Sequence, residues 1–343
     1  MDFQSYLKTS ASEINEEMEK FFAEWSKEVA SVSPKLIGLN KAFIQASEGG
    51  KRLRGALVKL GYEMAGGKEN ADILKAAVAF EIFQTAILAH DDIIDQSPIR
   101  RGKPTIYQAL GGNHYGVSQT ICLGDIGFFL AFKLISESDI PAKKKNQAIL
   151  CFANSTIQTA LGEMLDVEIP HLGEGTEEDA LKIFLLKTAF YTLVGPLQLG
   201  AILAGTDLVF LDHLRKFGEA LGIAFQIQDD ILGVFGDEKT LGKSVTSDIE
   251  EGKNTLLIIY ALKHASPKQR TVLSKYYGKG QIGAAQLEQI KMIFISTGAL
   301  EYSQSRAEEL VNEAKEVIKK MVISPNHKEL LSQMADFLVT RKK

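Results

Sequence analysis

Hydrophobic residues recur every three or four positions along most of the chain, which is the period of an α-helix. The eight prolines stand mostly between these periodic stretches, where they act as boundaries. No run of alternating residues flanked by turn residues marks a strand, so a parallel sheet is not expected. The pattern predicts one all-α domain over residues 1–343. Its predicted helices are 12–30, 34–47, 53–65, 71–96, 105–112, 116–137, 142–168, 177–204, 207–235, 253–265, 267–277, 283–296, 299–321 and 326–341.

Two of these stretches, 76–90 and 185–205, are small or hydrophobic on nearly every side. Helices of that kind are buried in the middle of a large helical bundle. Pro196 lies inside the second stretch and is expected to kink the helix rather than end it, because the periodicity resumes at once.

Composition and charge narrow the class of protein. Hydrophobic residues make up 45% of the chain and charged residues 24%, as in ordinary globular proteins. The net charge of −4 argues against a dedicated nucleic-acid binder. Cys122 and Cys151 form no CxxC pair, which excludes a cysteine zinc site and favours a reducing compartment. The amino terminus lacks a signal peptide, and no uninterrupted apolar stretch approaches the ~18 residues of a spanning helix. A soluble cytoplasmic protein without a transmembrane segment is expected.

One internal similarity indicates where the chemistry lies. Residues 84–95 and 222–233 share a layout of an apolar stretch, a His or Gln, two aspartates and two aliphatic residues. Asp91 and Asp95 are four residues apart and therefore share a helix face, with Asp92 about 100° round the helix.

Asp229 and Asp230 repeat the first half of that motif. So many like charges at the end of an apolar helix are costly unless cations share the site. Oxygen ligands without nearby cysteine favour magnesium over zinc. The alternative is two solvated helix ends with scattered acids, but the repeat of the motif favours the metal site.

Basic residues supply a counterpart to these acids. Three stand at the start of a predicted helix and three more in a Pro/Gly-bounded loop directly after the first acidic motif. Cations beside the free N–H groups of a helix start suit a diphosphate. For any one of them a solvated surface cation is the usual alternative. Together with the apolar interior they suggest a diphosphate head with a hydrocarbon tail. The set is Lys51, Arg52, Arg54, Arg100, Arg101, Lys103, Lys187, Lys243 and Lys253.

Another segment imitates a nucleotide-binding motif. Residues 236–244 resemble a phosphate-binding P-loop, but five residues separate Gly236 from Gly242 where that motif has four. The segment also follows a helix and not a strand, so a nucleoside triphosphatase is not expected. His90, beside the first acidic motif, is more consistent with helix packing than with catalysis.

Taken in order, these motifs resemble the trans-isoprenyl diphosphate synthase family, also called polyprenyl synthetases, which includes farnesyl and geranylgeranyl diphosphate synthases. The resemblance implies an antiparallel α-helical bundle around a deep central cavity, usually as a homodimer. It also implies magnesium-dependent condensation of isopentenyl diphosphate with an allylic diphosphate, releasing pyrophosphate. It runs through residues 49–55, 90–105, 162–168, 185–190, 225–237 and 252–257.

The resemblance assigns roles to individual residues of this sequence. Asp91 and Asp95, with Asp92 adjacent, would ligate two magnesium ions, and Asp229, helped by Asp230, would hold a third. The allylic diphosphate would contact Arg100, Lys187, Thr188, Gln226, Lys243 and Lys253, with Lys187 also counted as catalytic. Isopentenyl diphosphate would contact Lys51, Arg54, Gln84 and Arg101.

Two positions depart from the family pattern. Gly233 stands where many relatives have a third aspartate, so no ligand is expected there. Gln84 occupies a position often taken by His and still allows hydrogen bonding to phosphate.

Two other classes of protein remain as alternatives. A class I terpene cyclase also ionises a prenyl diphosphate with magnesium, but it does not need the second cationic site of Lys51, Arg54 and Arg101. A non-catalytic subunit of a heteromeric prenyl synthase tends to lack one acidic motif, whereas both are present here.

The length of the product is expected to depend on residues upstream of Asp91. In this family a bulky aromatic residue five positions before the first aspartate blocks the growing tail. Ala86 stands there, and Phe83 lies nearly one turn, about 5.4 Å, further up the helix. That spacing favours geranylgeranyl diphosphate over farnesyl diphosphate. If Phe83 merely packs against a neighbouring helix, chains of C25 or more are expected instead.

Overall fold

The structure, a computed structural model, describes residues 2–68, 71–173, 175–237 and 245–340. Helices dominate this part of the chain, as the sequence predicts. They are α1 (Phe3–Val32), α2 (Ile37–Ser47), α3 (Leu53–Met64), α4 (Ala71–Ile94), α5 (Ile106–Ala109), α6 (His114–Ser136), α7 (Ala142–Leu172), α8 (Glu177–Ile183), α9 (Gly195–Ala204), α10 (Leu208–Phe235), α11 (Ser247–Glu251), α12 (Leu256–His264), α13 (Pro267–Tyr276), α14 (Ala284–Ser296), α15 (Ala299–Lys320) and α16 (Pro325–Thr340). A short 3₁₀ turn (Pro34–Leu36) precedes α2, and a π-helical segment (Phe184–Val194) joins α8 to α9.

The chain folds into two compact units, each made of separate stretches of sequence. Unit 1 comprises Met1–Ala153, Gly195–Leu211 and Ile323–Leu330. Unit 2 comprises Asn154–Val194, Asp212–Val322 and Leu331–Lys343. The single domain expected from the sequence stays a prediction.

Unit 1 has α4 at its centre, with α3 and α6 packed against it. Helix α3 also packs closely on α9. A Cβ atom on Gly61 would lie 2.1 Å from the carbonyl oxygen of Leu197, and one on Gly200 would lie 1.9 Å from that of Val58. Only glycine permits such an approach, so these two positions set the spacing of α3 and α9.

Unit 2 has a core of its own, where α12 packs on α14 and α15. Ile249, Leu257, Ile290 and Phe294 are almost wholly buried there. This core fixes the start of α12 and the chain just before it, which carries the predicted substrate contact Lys253.

The first helix is much longer than predicted. It begins at Phe3 and not near residue 12, because Asp2 caps it by accepting a hydrogen bond from the Ser5 amide at 2.8 Å. Its buried residues continue at helical spacing through the acidic amino-terminal segment, from Phe3 and Leu7 to Ile14. The charged residues between them obscured that periodicity.

Prolines account for two further differences. Helix α7 passes through Pro170 and ends at Leu172, beyond the predicted end at 168. The helical turns continue from Glu177 to Ala204 through Pro196, as predicted, and the turns from Phe184 to Val194, just before this proline, are π-helical, which was not predicted. Proline lacks an N–H and its ring crowds the carbonyl four residues earlier. The wider π-helical turns before it relieve that conflict.

Two short elements were not predicted. The strands β1 (Ile99–Arg100) and β2 (Lys103–Pro104) form an antiparallel hairpin, which is too short to show as an alternating pattern. Helix α11 has only five residues. Both lie beside predicted site residues.

Three of the described helices are long and apolar enough, by length and composition alone, to cross a membrane: Asp72–Ile94, His114–Ser136 and Glu177–Ala204. The share of each apolar window buried inside the structure is 67%, 44% and 67%, respectively. The expected absence of a transmembrane segment stays a prediction.

Candidate active site

The first acidic motif lies where α4 ends, in unit 1. Asp91 and Asp92 are in the last helical turn, and the Asp95 amide donates to the Asp91 carbonyl at 2.8 Å, so helical geometry reaches the third aspartate. Asp91 and Asp95 are partly accessible, whereas Asp92 is 4% exposed. Asp91 and Asp95 were predicted to share one helix face and Asp92 to lie on another. This difference is visible in the structure as the deeper burial of Asp92.

Arg100 neutralises this motif. Its Nε donates to Asp92 at 2.6 Å and its Nη2 donates to Asp91 at 2.7 Å. Burial raises the pKa of Asp92 to about 6, against the opposing effect of Arg100 and with added repulsion from Asp91 and Asp95. The arginine predicted to contact the allylic diphosphate thus binds the aspartates in this structure.

The hairpin of β1 and β2 places the two arginines that follow the motif. Arg101 and Gly102 form its two-residue turn with φ of 53° and 72°. Positive φ at both central positions is the geometry of the turn that best matches strand twist. Arg101 adopts it at a steric cost that glycine would not have.

Arg101 reaches the loop that precedes α3. Its guanidinium carbon lies 3.4 Å from where a Cβ on Gly50 would stand, and Gly50 has φ of 83°. Crowding by protein atoms lowers the pKa of Arg101, and repulsion by Arg54, Arg100 and Arg52 lowers it further, while Glu81 opposes them. The structure therefore brings four of the predicted cations, Arg52, Arg54, Arg100 and Arg101, into one electropositive region of unit 1.

Arg52 and Glu81 hold that loop in place. Arg52, which begins α3 with φ of 52°, donates to the Asn15 side chain at 2.7 Å and lies 3.6 Å from Glu81. Glu81 also accepts from the Gly55 amide at 2.9 Å, and only 3% of it is exposed. Sequence reasoning missed Glu81, although a lone acid in the apolar stretch 76–90 is a readable signal.

The remaining predicted contacts of unit 1 differ in exposure. Arg54 is buried, Gln84 is half-buried on α4, and Lys51 is exposed on the loop.

In unit 2, the π-helical segment carries Lys187 and Thr188. The Lys187 ammonium lies 2.6 Å from Asp166 and 2.8 Å from Glu163, both on α7. A Cβ on Gly162 would lie 2.3 Å from the Lys187 amide nitrogen, so glycine lets α7 run directly against this segment. π-Helical turns occur often at functional sites. The two acids were within a stretch quoted for the resemblance but were given no role.

A chain of hydrogen bonds joins the π-helical segment to α10. The Thr188 hydroxyl donates to the side-chain Oε1 of Gln226 at 2.6 Å, and the side-chain Nε2 of Gln226 donates to the Asp230 carboxylate at 2.8 Å. Gly222 permits the approach, because a Cβ there would lie 2.4 Å from that of Ala189. Asp230 is 5% exposed and holds Gln226, whereas the neighbouring Asp229 is half-buried.

Lys253 lies in the short connection between α11 and α12. Its ammonium is 3.1 Å from Glu251 and 3.6 Å from Asp248. Lys243, the other lysine predicted after the second motif, lies outside the described residues.

A cavity of about 60 Å³ within unit 2 is lined by five of the predicted site residues, Lys187, Thr188, Gln226, Asp230 and Lys253. Two lysines, a threonine and a glutamine predicted to contact the allylic diphosphate line it, and its walls add acids and a polar turn. The polar lining consists of Asp166, Lys187, Thr188, Gln226, Asp230, Lys253, Asn254 and Thr255. A site that mixes cations, neutral donors and carboxylates suits an anion that binds together with metal ions.

The two residues predicted to control product length are fully buried in unit 1. Phe83 packs on Phe152 and Phe128, with ring centroids 4.8 and 5.7 Å away. Ala86 faces α6, because a Cβ atom placed on Gly127 of that helix would lie 2.9 Å from the Cβ of Ala86. Their effect on product length stays a prediction.

Comparison with known proteins identifies the family. The model of the polyprenyl synthetase family matches residues 38–294. The chain belongs to the polyprenyl synthetase family. The resemblance inferred from the acidic and basic motifs is confirmed.

Several curated members of the family align over most of the chain. A geranylfarnesyl diphosphate synthase of Aeropyrum pernix is 34% identical over 91% of this chain and 96% of its own length. A geranylgeranyl diphosphate synthase of Sulfolobus acidocaldarius is 32% identical over 87% and 88%. A geranylgeranyl pyrophosphate synthase of Geoglobus acetivorans is 31% identical over 98% of each. The expected class of activity, a prenyltransferase of the geranylgeranyl diphosphate synthase type, is confirmed.

Solved structures of the family have the same fold. A geranylgeranyl pyrophosphate synthase of Corynebacterium glutamicum, solved with isoprenyl diphosphate and magnesium, aligns with a TM-score of 0.93. It is 28% identical over 99% of this chain and 100% of its own. The all-α, isoprenoid synthase-like fold class expected from the resemblance is confirmed.

The contacts of Glu81 generate a prediction about stability. Glu81→Gln removes the charge that compensates the buried Arg52, so we expect the free energy of unfolding to fall by about 3 kcal/mol. Glu48→Gln is the matched control, because the Glu48–Lys103 pair is 3.4 Å apart and exposed, where loss of a pair costs about 0.5 kcal/mol. Chemical denaturation measures both. Equal effects of the two substitutions would contradict the role given to Glu81.

Proposed function

We propose that this polyprenyl synthetase is a magnesium-dependent trans-prenyltransferase that condenses isopentenyl diphosphate with allylic diphosphates. The observation that carries the proposal is the cavity of unit 2. It is lined by Lys187, Thr188, Gln226 and Lys253, four of the six residues expected to contact the allylic diphosphate. The cationic region around Arg54 and Arg101 in unit 1 supports a site for the second diphosphate, which a terpene cyclase does not need.

The acidic residues fit magnesium by their chemistry. Asp91 and Asp95 offer carboxylate oxygens from adjacent turns of one helix end, and half-buried Asp229 offers another from α10. We propose that these three hold the metal ions, about three in number. Carboxylates and phosphate oxygens are the ligands that magnesium prefers. When bound, magnesium neutralises the charge that develops on the departing diphosphate.

The protein's own cations act on the same leaving group. Lys187, Lys253 and Arg100 bind diphosphate oxygens and stabilise the negative charge as the allylic C–O bond breaks. Each of them is held near carboxylates in this structure, so it is pre-positioned and does not have to be ordered on binding. Thr188 and Gln226, already oriented by Asp230, present neutral dipoles to the same cavity.

Carbon–carbon bond formation follows ionisation. The apolar interior excludes the water that would otherwise trap the carbocation, and Phe225, on α10 beside Gln226, offers a ring face to it. The double bond of isopentenyl diphosphate attacks the allylic carbon. A proton then leaves to the released pyrophosphate.

Geranylgeranyl diphosphate is proposed as the main product. Ala86 leaves no aromatic side chain at the position where short-chain enzymes are blocked, and Phe83 closes the region one turn further up. Phe83 packs on Phe128 of α6 and Phe152 of α7, and relatives named for geranylgeranyl and geranylfarnesyl diphosphate are both similar to this chain. C25 or longer chains are therefore the second candidate. The enzyme is proposed to act in the cytoplasm.

A homodimer is the proposed assembly. On α6, Phe129 is 72% exposed and Ile121 44%. On α7, Met164 is 66% exposed and Ile157 54%. Apolar faces of this kind are typical of protein interfaces. Light scattering at micromolar concentration is expected to give about twice the 37.7 kDa of the chain, and a monomer mass would contradict the proposal.

One assay tests the activity against its alternatives. The purified chain is incubated with labelled isopentenyl diphosphate and farnesyl diphosphate, with magnesium and with a chelator. We expect labelled geranylgeranyl diphosphate only with magnesium. A cyclic hydrocarbon would indicate a terpene cyclase, and product only after a partner chain is added would indicate a non-catalytic subunit.

Substitution of the proposed ligands tests the metal site in the same assay. Asp91→Ala or Asp229→Ala is expected to abolish product formation while circular dichroism stays unchanged, because each removes a carboxylate needed by the cations. Asp212→Ala is the control, since Asp212 lies on the surface of α10 and pairs with Arg215 and Lys216. Near-normal turnover by either variant of the acidic motifs would rule out the assignment.

Product length depends on the wall formed by α4. Ala86→Phe is expected to shift the product towards farnesyl diphosphate, because the new ring blocks the tail one turn earlier. Phe83→Ala is expected to shift it towards longer chains, and chromatography of the dephosphorylated products measures both. An unchanged product with a folded Ala86→Phe enzyme would show that the tail does not pass this position.

A further inference from the structure

The connection that carries Lys253 is a tight turn with well-defined hydrogen bonds. The Lys253 amide donates to the Asp248 carbonyl at 3.0 Å, and the Thr255 amide donates to the Lys253 carbonyl at 2.9 Å. The second bond closes a three-residue turn around Asn254. Thr255 then caps α12 by accepting from the Ile258 amide. The direction of the Lys253 carbonyl therefore fixes the backbone from which the Lys253 side chain projects.

A tyrosine from a distant segment contacts that carbonyl. Tyr277 is the residue that follows α13, and its hydroxyl donates to the Lys253 carbonyl oxygen at 2.5 Å. Burial raises the pKa of Tyr277, a hydrogen bond with the Thr255 side chain opposes that rise, and repulsion from Asp248 and Asp230 adds to it. The hydroxyl therefore stays protonated and remains a donor throughout the physiological pH range.

The segment around Tyr277 is itself attached to α11. The Gly278 amide donates to the Ile249 carbonyl at 2.8 Å, and the Ile282 amide donates to the Glu250 carboxylate at 3.0 Å. Gly252 and Gly278 both have positive φ and touch each other, since a Cβ on Gly252 would lie 2.8 Å from the Gly278 Cα. The backbone at Tyr277 is thus held against the helix that supplies Asp248 and Glu251 to the Lys253 ammonium.

We propose that Tyr277 is a positioning residue for the allylic diphosphate, acting through the Lys253 turn. Its hydroxyl holds the carbonyl, while Asp248 and Glu251 hold the ammonium, so the lysine is constrained at both ends. Tyr277 does not line the cavity itself and acts through its hydrogen bond to the Lys253 carbonyl. This inference rests on the proposed role of Lys253 in binding the allylic diphosphate.

Removal of one oxygen atom tests the proposal. Tyr277→Phe keeps the ring but loses the hydrogen bond, and we expect the KM for farnesyl diphosphate to rise about fivefold, the usual effect of one hydrogen bond on an equilibrium constant. The KM for isopentenyl diphosphate and kcat should change less than twofold. Tyr276→Phe is the control and should change none of these constants. Equal KM increases for both substrates would indicate a merely structural role and overturn the proposal, as would an unchanged KM for farnesyl diphosphate.

A double-mutant cycle tests whether the effect passes through Lys253. In a Lys253→Ala background, Tyr277→Phe is expected to change the KM for farnesyl diphosphate less than twofold, because the side chain it positions is gone. A full fivefold increase in that background would show that Tyr277 acts independently of Lys253.

The outcome for the wild-type enzyme separates this inference from the proposed function. If the wild type extends no prenyl diphosphate, the proposed function fails, and the same variants are compared by calorimetric titration with inorganic pyrophosphate and magnesium. A fivefold weaker affinity of Tyr277→Phe, lost in the Lys253→Ala background, would support the role of Tyr277. Equal affinity of wild type and Tyr277→Phe would overturn it.

Discussion

Carboxylates that lie largely inside the protein have to be neutralised, and much of this structure follows from that constraint. A buried charge without a partner costs several kcal/mol. In unit 1, Arg100 binds Asp91 and Asp92, and in unit 2 Lys187 binds Glu163 and Asp166. The β1–β2 hairpin after α4 brings Arg100 back onto Asp91 and Asp92. The π-helical segment and Gly162 bring Lys187 against α7.

The same constraint explains how such a site can exchange partners. A diphosphate offers oxygen acceptors like those of the carboxylates, and magnesium offers positive charge like that of the cations. If both bind together, the diphosphate replaces the carboxylates as partner of the cations, and magnesium replaces the cations as partner of the carboxylates. No charge is then left uncompensated. Thr188 and Gln226, two neutral residues of the cavity, are oriented by their own hydrogen bonds and carry no charge that has to be compensated. Residues that only hold others act within their own unit: Glu81 holds the loop before α3 in unit 1, and we propose that Tyr277 holds the Lys253 turn in unit 2.

Local patterns in the sequence predicted the parts of the site that lie within one helix or one loop. The spacing of Asp91 and Asp95 predicted their shared face, and the apolar stretch before them predicted the buried helix α4. Contacts between distant segments were not predicted. Nothing near Asp92 in the sequence shows that it would be buried beneath Arg100, and 24 residues separate Tyr277 from the carbonyl that it contacts. The π-helical turns before Pro196 were not predicted, because a π-helix depends on hydrogen-bond register, which hydrophobic periodicity does not record.

The proposed mechanism requires that Asp91, Asp95 and Asp229 ligate divalent cations, which bind together with a diphosphate. Crystals of the protein soaked with manganese and inorganic pyrophosphate would locate the ions by anomalous scattering. We expect anomalous peaks beside these three carboxylates, each also in contact with a pyrophosphate oxygen. Bound pyrophosphate with no anomalous peak at any of the three aspartates would contradict the account.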